Sequence, residues 1–401
     1  VKTEIDRRLT RVKWPTPKRS RPEIAIAHDY LTQRGGAERV VLAMLRAFPE
    51  ATIYTTLYHP DDTYEEFRSA KIVTSPLNRV PLFRRDHRLA LALLPHASSM
   101  LKIPADIVIV SSTGWAHGFH MPGRVFVYCH SPARWLYLTE QYLGRPALHS
   151  PVGWGLTALK PFLRWWDGRA ARRADRYVAN STVVRHRLKD VYGIEAEVFH
   201  PPHSVDTSGE RAPVPGVESF VGRGGHFLTV SRLLPYKNVG EAIEAFRGLD
   251  ERLLIIGAGP LAEDLRESCP ANVRIAERLT DAQMRWAYSL CRAVIAPSYE
   301  DFGITPLEAG AWGKPTIALR GGGYLDTIVE GVTGHFIESP SAELIRNAVK
   351  SFDPSEWDAK AIRDHAETFS EERFRERLRR EILEFDEDVF DPYQDGQGGK
   401  I

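Results

Sequence analysis

Two glutamates, Glu300 and Glu308, bracket the stretch Asp301-Phe302-Gly303-Ile304-Thr305-Pro306-Leu307. Pro306 suits the first turn of a helix that would carry Glu308. Phe302, Gly303, Ile304 and Thr305 would then offer backbone N–H groups near a helix N-terminus, a natural seat for a diphosphate. Such a loop can set one carboxylate at a sugar's distance from the phosphates and the other further into the helix. Arg232 and Lys237, in Ser231-Arg232-Leu233-Leu234-Pro235-Tyr236-Lys237-Asn238, supply positive charge. A diphosphate leaving group gains charge as a glycosidic bond breaks, and paired cations stabilise that charge without a metal. The bland alternatives are an acidic helix start and two solvated loop cations. The metal-like run Asp386-Glu387-Asp388 reads as a solvated tail, so neither a metal nor a cofactor is expected.

Short apolar runs that end in polar or glycine loops must position these groups. Ile24-Ala25-Ile26-Ala27 closes on His28-Asp29 and the Gly35-Gly36 loop, followed by a helical pattern of Val40, Val41, Met44, Leu45 and Phe48. Ile107–Val110, Val125–Tyr128 and Tyr177–Ala179 repeat the theme, the second closing on Cys129-His130. After a turn-rich stretch from His200 to Gly216, read as a linker, the alternation restarts with Phe227–Val230, Leu253–Ile256, Val273–Ile275, Ala293–Ala296 and Thr316–Leu319. Apolar strands alternating with helices predict parallel sheets covered on both faces. In such sheets ligands bind outside the carboxyl ends of the strands, so the cleft between two such edges is the expected site. The boundaries read as a basic arm at 1–22, one Rossmann-like domain at 23–205 and a second at 206–370. A helix at 371–385, carrying Phe374, Leu378, Ile382 and Phe385 on one face, would cross back to the first domain, leaving a tail at 386–401.

Composition narrows the partners. The chain has 401 residues, enough for two domains. With 53 Lys and Arg against 52 Asp and Glu the net charge is +1, which argues against a nucleic-acid partner. Cys129, Cys269 and Cys291 fit neither a disulfide framework nor a zinc site. No apolar run is long enough to span a bilayer, and the expected setting is cytoplasmic. The segment Gly155 to Ala174 mixes Leu156, Leu159, Phe162, Leu163, Trp165 and Trp166 with Lys160, Arg164, Arg169, Arg172 and Arg173. With its helix starting at Pro161, it suits either packing on its own domain or a peripheral contact with an anionic membrane. Leu82-Phe83-Arg84-Arg85 with Leu89, Leu91, Leu93 and Leu94 is a second, weaker candidate.

As a set, these motifs resemble the retaining glycosyltransferases of family 4. The likeness rests on Ser231 to Asn238, the paired Glu300 and Glu308, Gly321-Gly322-Gly323 before Thr327, Glu330 and Gly334, and His28-Asp29-Tyr30 with Gly35-Gly36-Ala37-Glu38-Arg39. Tyr128-Cys129-His130-Ser131-Pro132, Asp175 to Ser181 and Pro201-Pro202 add to it. The resemblance implies an α/β GT-B fold of two facing Rossmann-like doubly wound domains and a metal-independent transfer of a hexose from a nucleotide-sugar. It implies that Arg232 and Lys237 bind the donor diphosphate, with Gly35 and Gly36 close by. Glu308 would hold the ribose and Glu300 the transferred sugar, with Phe302, Gly303, Ile304 and Thr305 alongside. Gly257 and Arg278 would lie by the nucleobase. His130 matches the histidine beside the sugar's reacting face, and His117 in Trp115-Ala116-His117-Gly118 is its competitor. The likeness is greatest to bacterial surface-polysaccharide mannosyltransferases, so the expected donor is GDP-mannose and the acceptor a glycan or lipid-linked glycan. A UDP- or dTDP-sugar is the alternative donor. A nucleotide-sugar epimerase, or a binding scaffold without turnover, would use the same fold but no acceptor.

Overall fold

The computed structural model describes residues 22–85, 90, 93–138, 151–221 and 225–387. The basic segment Arg7 to Arg21, the leucines Leu89 and Leu91, and the tail from Asp388 lie outside the described residues.

Two parallel sheets are present. The first contains β1 (Ile24–His28), β2 (Thr52–Thr55), β3 (Ile72–Thr74), β4 (Ile107–Ser112), β5 (Arg124–Cys129), β6 (Arg176–Ala179) and β7 (Glu197–Val198), in the order β3-β2-β1-β4-β5-β6-β7. The second contains β8 (His226–Val230), β9 (Leu253–Ile256), β10 (Val273–Ala276), β11 (Cys291–Ala296), β12 (Thr316–Leu319) and β13 (Gly334–Ile337), in the order β10-β9-β8-β11-β12-β13. Strand order reverses between β1 and β4 in one sheet and between β8 and β11 in the other. These are the switch points where doubly wound sheets open a crevice for ligands.

The strand sequences explain why both faces are covered. Along β4, Ile107 and Ile109 join one core with Phe126 and Tyr128, while Val108 and Val110 join the opposite one with Val125 and Val127. Phe227, Leu253, Ile255 and Ile295 face one way in the second sheet, and Leu228, Leu254, Ile256 and Val294 the other. A period of two with apolar residues at every position is the mark of a fully buried strand, and each such side chain contributes roughly 1.5–3 kcal/mol.

Among the helices, α1 (Gly36–Ala47) follows β1, α2 (Pro151–Ala171) and α3 (Thr182–Tyr192) flank β6, and α4 (Thr305–Ala311) follows β11. The last, α5 (Glu371–Glu387), follows the second sheet in sequence but packs on the first. Its Phe374, Leu378, Ile382 and Phe385, spaced to share one helix face, enter the core that holds Ile26, Val41 and Met44. Phe385 lies 5.7 Å from the Phe126 ring, and Arg46 pairs with Glu371 at 2.6 Å.

The turn-rich stretch ends docked on the second domain, where Val214, with Val217 and Val221 just beyond it, is buried beneath β8 and β9. One expectation needs correction. Helix α2 does not start at Pro161 but runs through it from Pro151. An interior proline forfeits one backbone hydrogen bond, and burial of Leu163, Asp167 and Ala170 anchors the half that follows.

Candidate active site

Because β8 and β11 are neighbours, their carboxyl-end loops lie side by side. Asn238, in the left-handed region at φ 55°, donates from Nδ2 to the Pro297 carbonyl at 3.0 Å and ties one loop to the other. The tie sets Lys237 against Glu300. The Lys237 ammonium donates to Glu300 Oε1, and Ser298 Oγ donates to the same oxygen at 2.5 Å. Lys237 is only 8% exposed. Arg232, on the same loop, is exposed, its Nη2 donating to the Tyr236 hydroxyl at 3.2 Å. Lys237 thus meets Ser298 and Glu300, more than sixty positions away in sequence, and Arg232 lies on the loop that carries Lys237.

Glu308 stands in the first turn of α4, where a negative charge suits the helix dipole. Its Oε2 accepts from the Tyr288 hydroxyl at 3.1 Å, and its Oε1 lies 3.5 Å from Arg39 of α1. The loop between the glutamates is anchored by Phe302, which is buried and stacked on His200 at 5.6 Å. Its side chain is therefore packing, which leaves only its backbone for a ligand. Gly303 has φ 78°, and a Cβ there would strike the Tyr324 ring. Ile304 precedes the helix and Thr305 opens it. A Cβ on Gly257 would collide with the Ser231 carbonyl, so close packing of two loops already requires this glycine. Arg278 is exposed, at φ 55°, beside the Arg266–Glu277 ion pair.

On the facing sheet, Asp29 organises the switch point. Its carboxylate accepts from the backbone N–H groups of Thr113, Trp115 and Ala116, binding the β1 loop to the β4 loop. Gly35 caps α1, and a Cβ on Gly36 would meet nothing within 4 Å. The two candidate histidines differ sharply. His117 lies between Ser112 Oγ at 3.1 Å and the fully buried Asp167 at 3.0 Å, and Asp167 also accepts from Tyr137 and Tyr192. Both its ring nitrogens are thereby engaged in an interior network. His130 has Nε2 2.9 Å from Ser111 Oγ and its ring edge-on to Tyr128 at 5.2 Å. Burial, with His28 and Arg134 nearby, lowers its pKa to about 3, so it is neutral at ordinary pH.

The two edges meet through residues given no individual role in the sequence reading. Asp301 accepts from Arg134 and from Arg187 (2.9 and 3.0 Å), both of the first domain. Burial alone would raise the Asp301 pKa, but the two guanidinium groups reverse this and hold it below the usual carboxylate range. Arg39 reaches Glu308, and Asp326 accepts from the Thr182 N–H at 2.7 Å. Arg39, Arg134 and Asp301 lie inside or beside the recognised motifs; nothing in the sequence pairs them.

Two doubly wound sheets facing each other across a cleft, bridged at their switch points, define the GT-B class. The comparisons agree. The profile "Glycosyltransferase Family 4" matches residues 34–208, and "Glycosyl transferases group 1" matches 218–368. The chain belongs to these glycosyltransferases. It is 30% identical over 223 residues to a GDP-mannose-dependent alpha-(1-6)-phosphatidylinositol monomannoside mannosyltransferase of Mycolicibacterium smegmatis, covering 49% of this chain and 57% of that one. Against the human alpha-1,3/1,6-mannosyltransferase ALG2 it is 27% identical, covering 65% and 67%. The chain thus spans between half and two thirds of these relatives' lengths. Anabaena HepE, solved with UDP-glucose, superposes with a TM-score of 0.64 at 16% identity, over 91% of this chain and all of that one. Sucrose-phosphate synthase of Thermosynechococcus elongatus gives 0.65 at 16% identity, over 91% and 99%. These likenesses speak to the fold alone.

Proposed function

We propose that the chain is a retaining, metal-independent hexosyltransferase that moves mannose from GDP-mannose to a glycan or lipid-linked acceptor. The observation that carries this reading is the cluster of Lys237, Glu300 and Ser298, with the exposed Arg232 on the loop that carries Lys237. Arg232, exposed and without a carboxylate partner among the described residues, offers its charge and a guanidinium fork to an arriving diphosphate. The Lys237 charge is balanced by Glu300 until phosphate oxygens compete for it. As the glycosidic C1–O bond breaks, its electron pair passes to the phosphate oxygen, and both cations gain in attraction. An acceptor hydroxyl enters on the same face, forms the new C1–O bond and gives its proton to that phosphate oxygen. Glu300 and neutral His130 position the sugar, and Glu308 holds the ribose. Two mannosyltransferases among the relatives favour mannose over glucose.

Helix α2 supports an anionic membrane surface as a further partner. It exposes Phe162 at 58% and Trp165 at 60%, with Arg164, Arg169 and Arg172 exposed nearby. An apolar face flanked by cations suits a helix lying on lipid. Leu82 and Leu93 are exposed as well. No helix among the described residues is long and apolar enough to cross a membrane. Cosedimentation with anionic vesicles that survives Phe162→Asp would remove the surface role.

A thermal-shift screen with nucleotide-sugars tests the donor. GDP-mannose at about 100 times its Kd should stabilise by about 2.7 kcal/mol. Stabilisation by a UDP- or dTDP-sugar in its place would reassign the donor, and donor consumption without acceptor would favour an epimerase. Binding without transfer to any acceptor would leave a scaffold.

A further inference from the structure

Behind His130 lies a line of buried polar groups that the proposed transfer does not use. Glu38 in α1, His28 at the end of β1, Ser111 in β4 and His130 after β5 are all buried. Glu38 Oε1 accepts from Gln33 Nε2 at 3.0 Å and faces His28 Nε2 at 3.9 Å. His28 Nδ1 lies 3.0 Å from the Ser111 carbonyl oxygen and 3.1 Å from Ser111 Oγ. A carbonyl can only accept, so Nδ1 carries a proton and the Ser111 hydroxyl cannot donate to it. Among the described residues the other partner of Ser111 Oγ is His130 Nε2, at 2.9 Å. A buried hydroxyl proton without an acceptor costs about 1–3 kcal/mol. The Ser111 O–H is therefore aimed at Nε2, which must present its lone pair.

We infer that Ser111, oriented by the Glu38–His28 pair, is a positioning residue that locks His130 in the tautomer protonated at Nδ1. Which ring nitrogen bears the proton is set by the hydrogen bond at the other. The charge distribution along the line agrees. Burial lowers the His28 pKa, but the Glu38 and Asp29 carboxylates and the Ser111 carbonyl together more than offset this, so His28 is the more readily charged ring and His130 stays neutral. Resting on the transferase reading, the consequence is that His130 meets the sugar as a neutral N–H donor and not as a base.

Protein labelled with 15N-histidine tests this through long-range proton–nitrogen correlation of the His130 ring. In the wild type Nδ1 should be protonated and Nε2 bare. In Ser111→Ala the tautomer protonated at Nε2, which free imidazole side chains prefer in water, should appear, and Ser111→Thr, which keeps the hydroxyl, should restore Nδ1–H. With the donor found by thermal shift, Ser111→Ala should lower kcat about tenfold, with KM for the donor changed by less than about twofold. A wild-type His130 protonated at Nε2, or a Ser111→Ala variant that keeps both Nδ1–H and full kcat, would overturn the inference. If Nδ1–H were found but no nucleotide-sugar were turned over, the tautomer assignment would stand and the transferase reading would fall.

Discussion

At the scale of single residues, the proposed site depends on how charges are shared. Glu308, held by its helix turn, by the Tyr288 hydroxyl and by Arg39, is the residue proposed to take the ribose hydroxyls. Glu308→Ala should weaken binding of the free nucleoside diphosphate by about 1.5–3 kcal/mol, the scale of hydrogen bonds to a charged group. Calorimetry would read this, and unchanged affinity would return Glu308 to a structural role. In the proposed transfer Arg232 and Lys237 face a group whose charge grows along the reaction. Either alanine variant should lower the rate at saturating donor by about 10²-fold, and the double variant should lose less than the sum, because both act on one leaving group. Full recovery at high donor concentration would mean uniform binding only. These residues were legible because charged and glycine positions cluster at strand ends in recognisable motifs. The pairings were not: that Lys237 meets Glu300, or that His117 is bound to Asp167, depends on which loops the sheet order makes neighbours.

Element by element, the strongly apolar strands could be read directly, whereas the marginal ones could not. Thr52–Thr55, Glu197–Val198 and Gly334–Ile337 are short and partly polar, and neighbouring strands rather than local pattern make them strands. The apolar face of α5 packs on the first domain, and such a face by itself does not say on which sheet the helix will lie. The clamp on Asp301 had no such signal, since a lone aspartate between Glu300 and Phe302 resembles any loop acid. It now joins the loop that carries Glu300 to the segment after His130 and to α3. Asp301→Asn would leave Arg134 and Arg187 without their charge partner. Breaking this part-buried cluster from one side should cost about 1–3 kcal/mol, seen as a lower urea midpoint, with small-angle scattering reporting a larger radius as the domains separate. An unchanged midpoint and radius would mean that the clamp does not fasten the domains.

For the whole molecule, buried histidines set the acid response. His130 is lowered to about 3 and His226 to about 4, each by burial foremost, and His200 and His203 are lowered in the same way from the usual 6.5. Below pH 6.5 the unfolded chain takes up protons that the folded chain refuses, so stability falls as pH drops, by up to about 1.4 kcal/mol per pH unit for each such group, until the folded values are reached. His28, raised, opposes this: its contribution is full below 6.5 and fades as pH rises through its folded value. Asp301, lowered, loses its contribution only as pH falls from 3.8 through its own folded value. Thermal midpoints should therefore decline between pH 7 and pH 5, and a flat profile would mean that the histidines are hydrated. The central claim, retaining transfer without a metal, is tested most directly by following radiolabelled GDP-mannose into the glycan and lipid fraction of a membrane extract in excess chelator. GDP-mannose carries mannose in the α configuration, so the account expects a labelled product released by α-mannosidase, with chelator making no difference. A product released only by β-mannosidase, or transfer that stops in chelator and returns with a divalent ion, would contradict it.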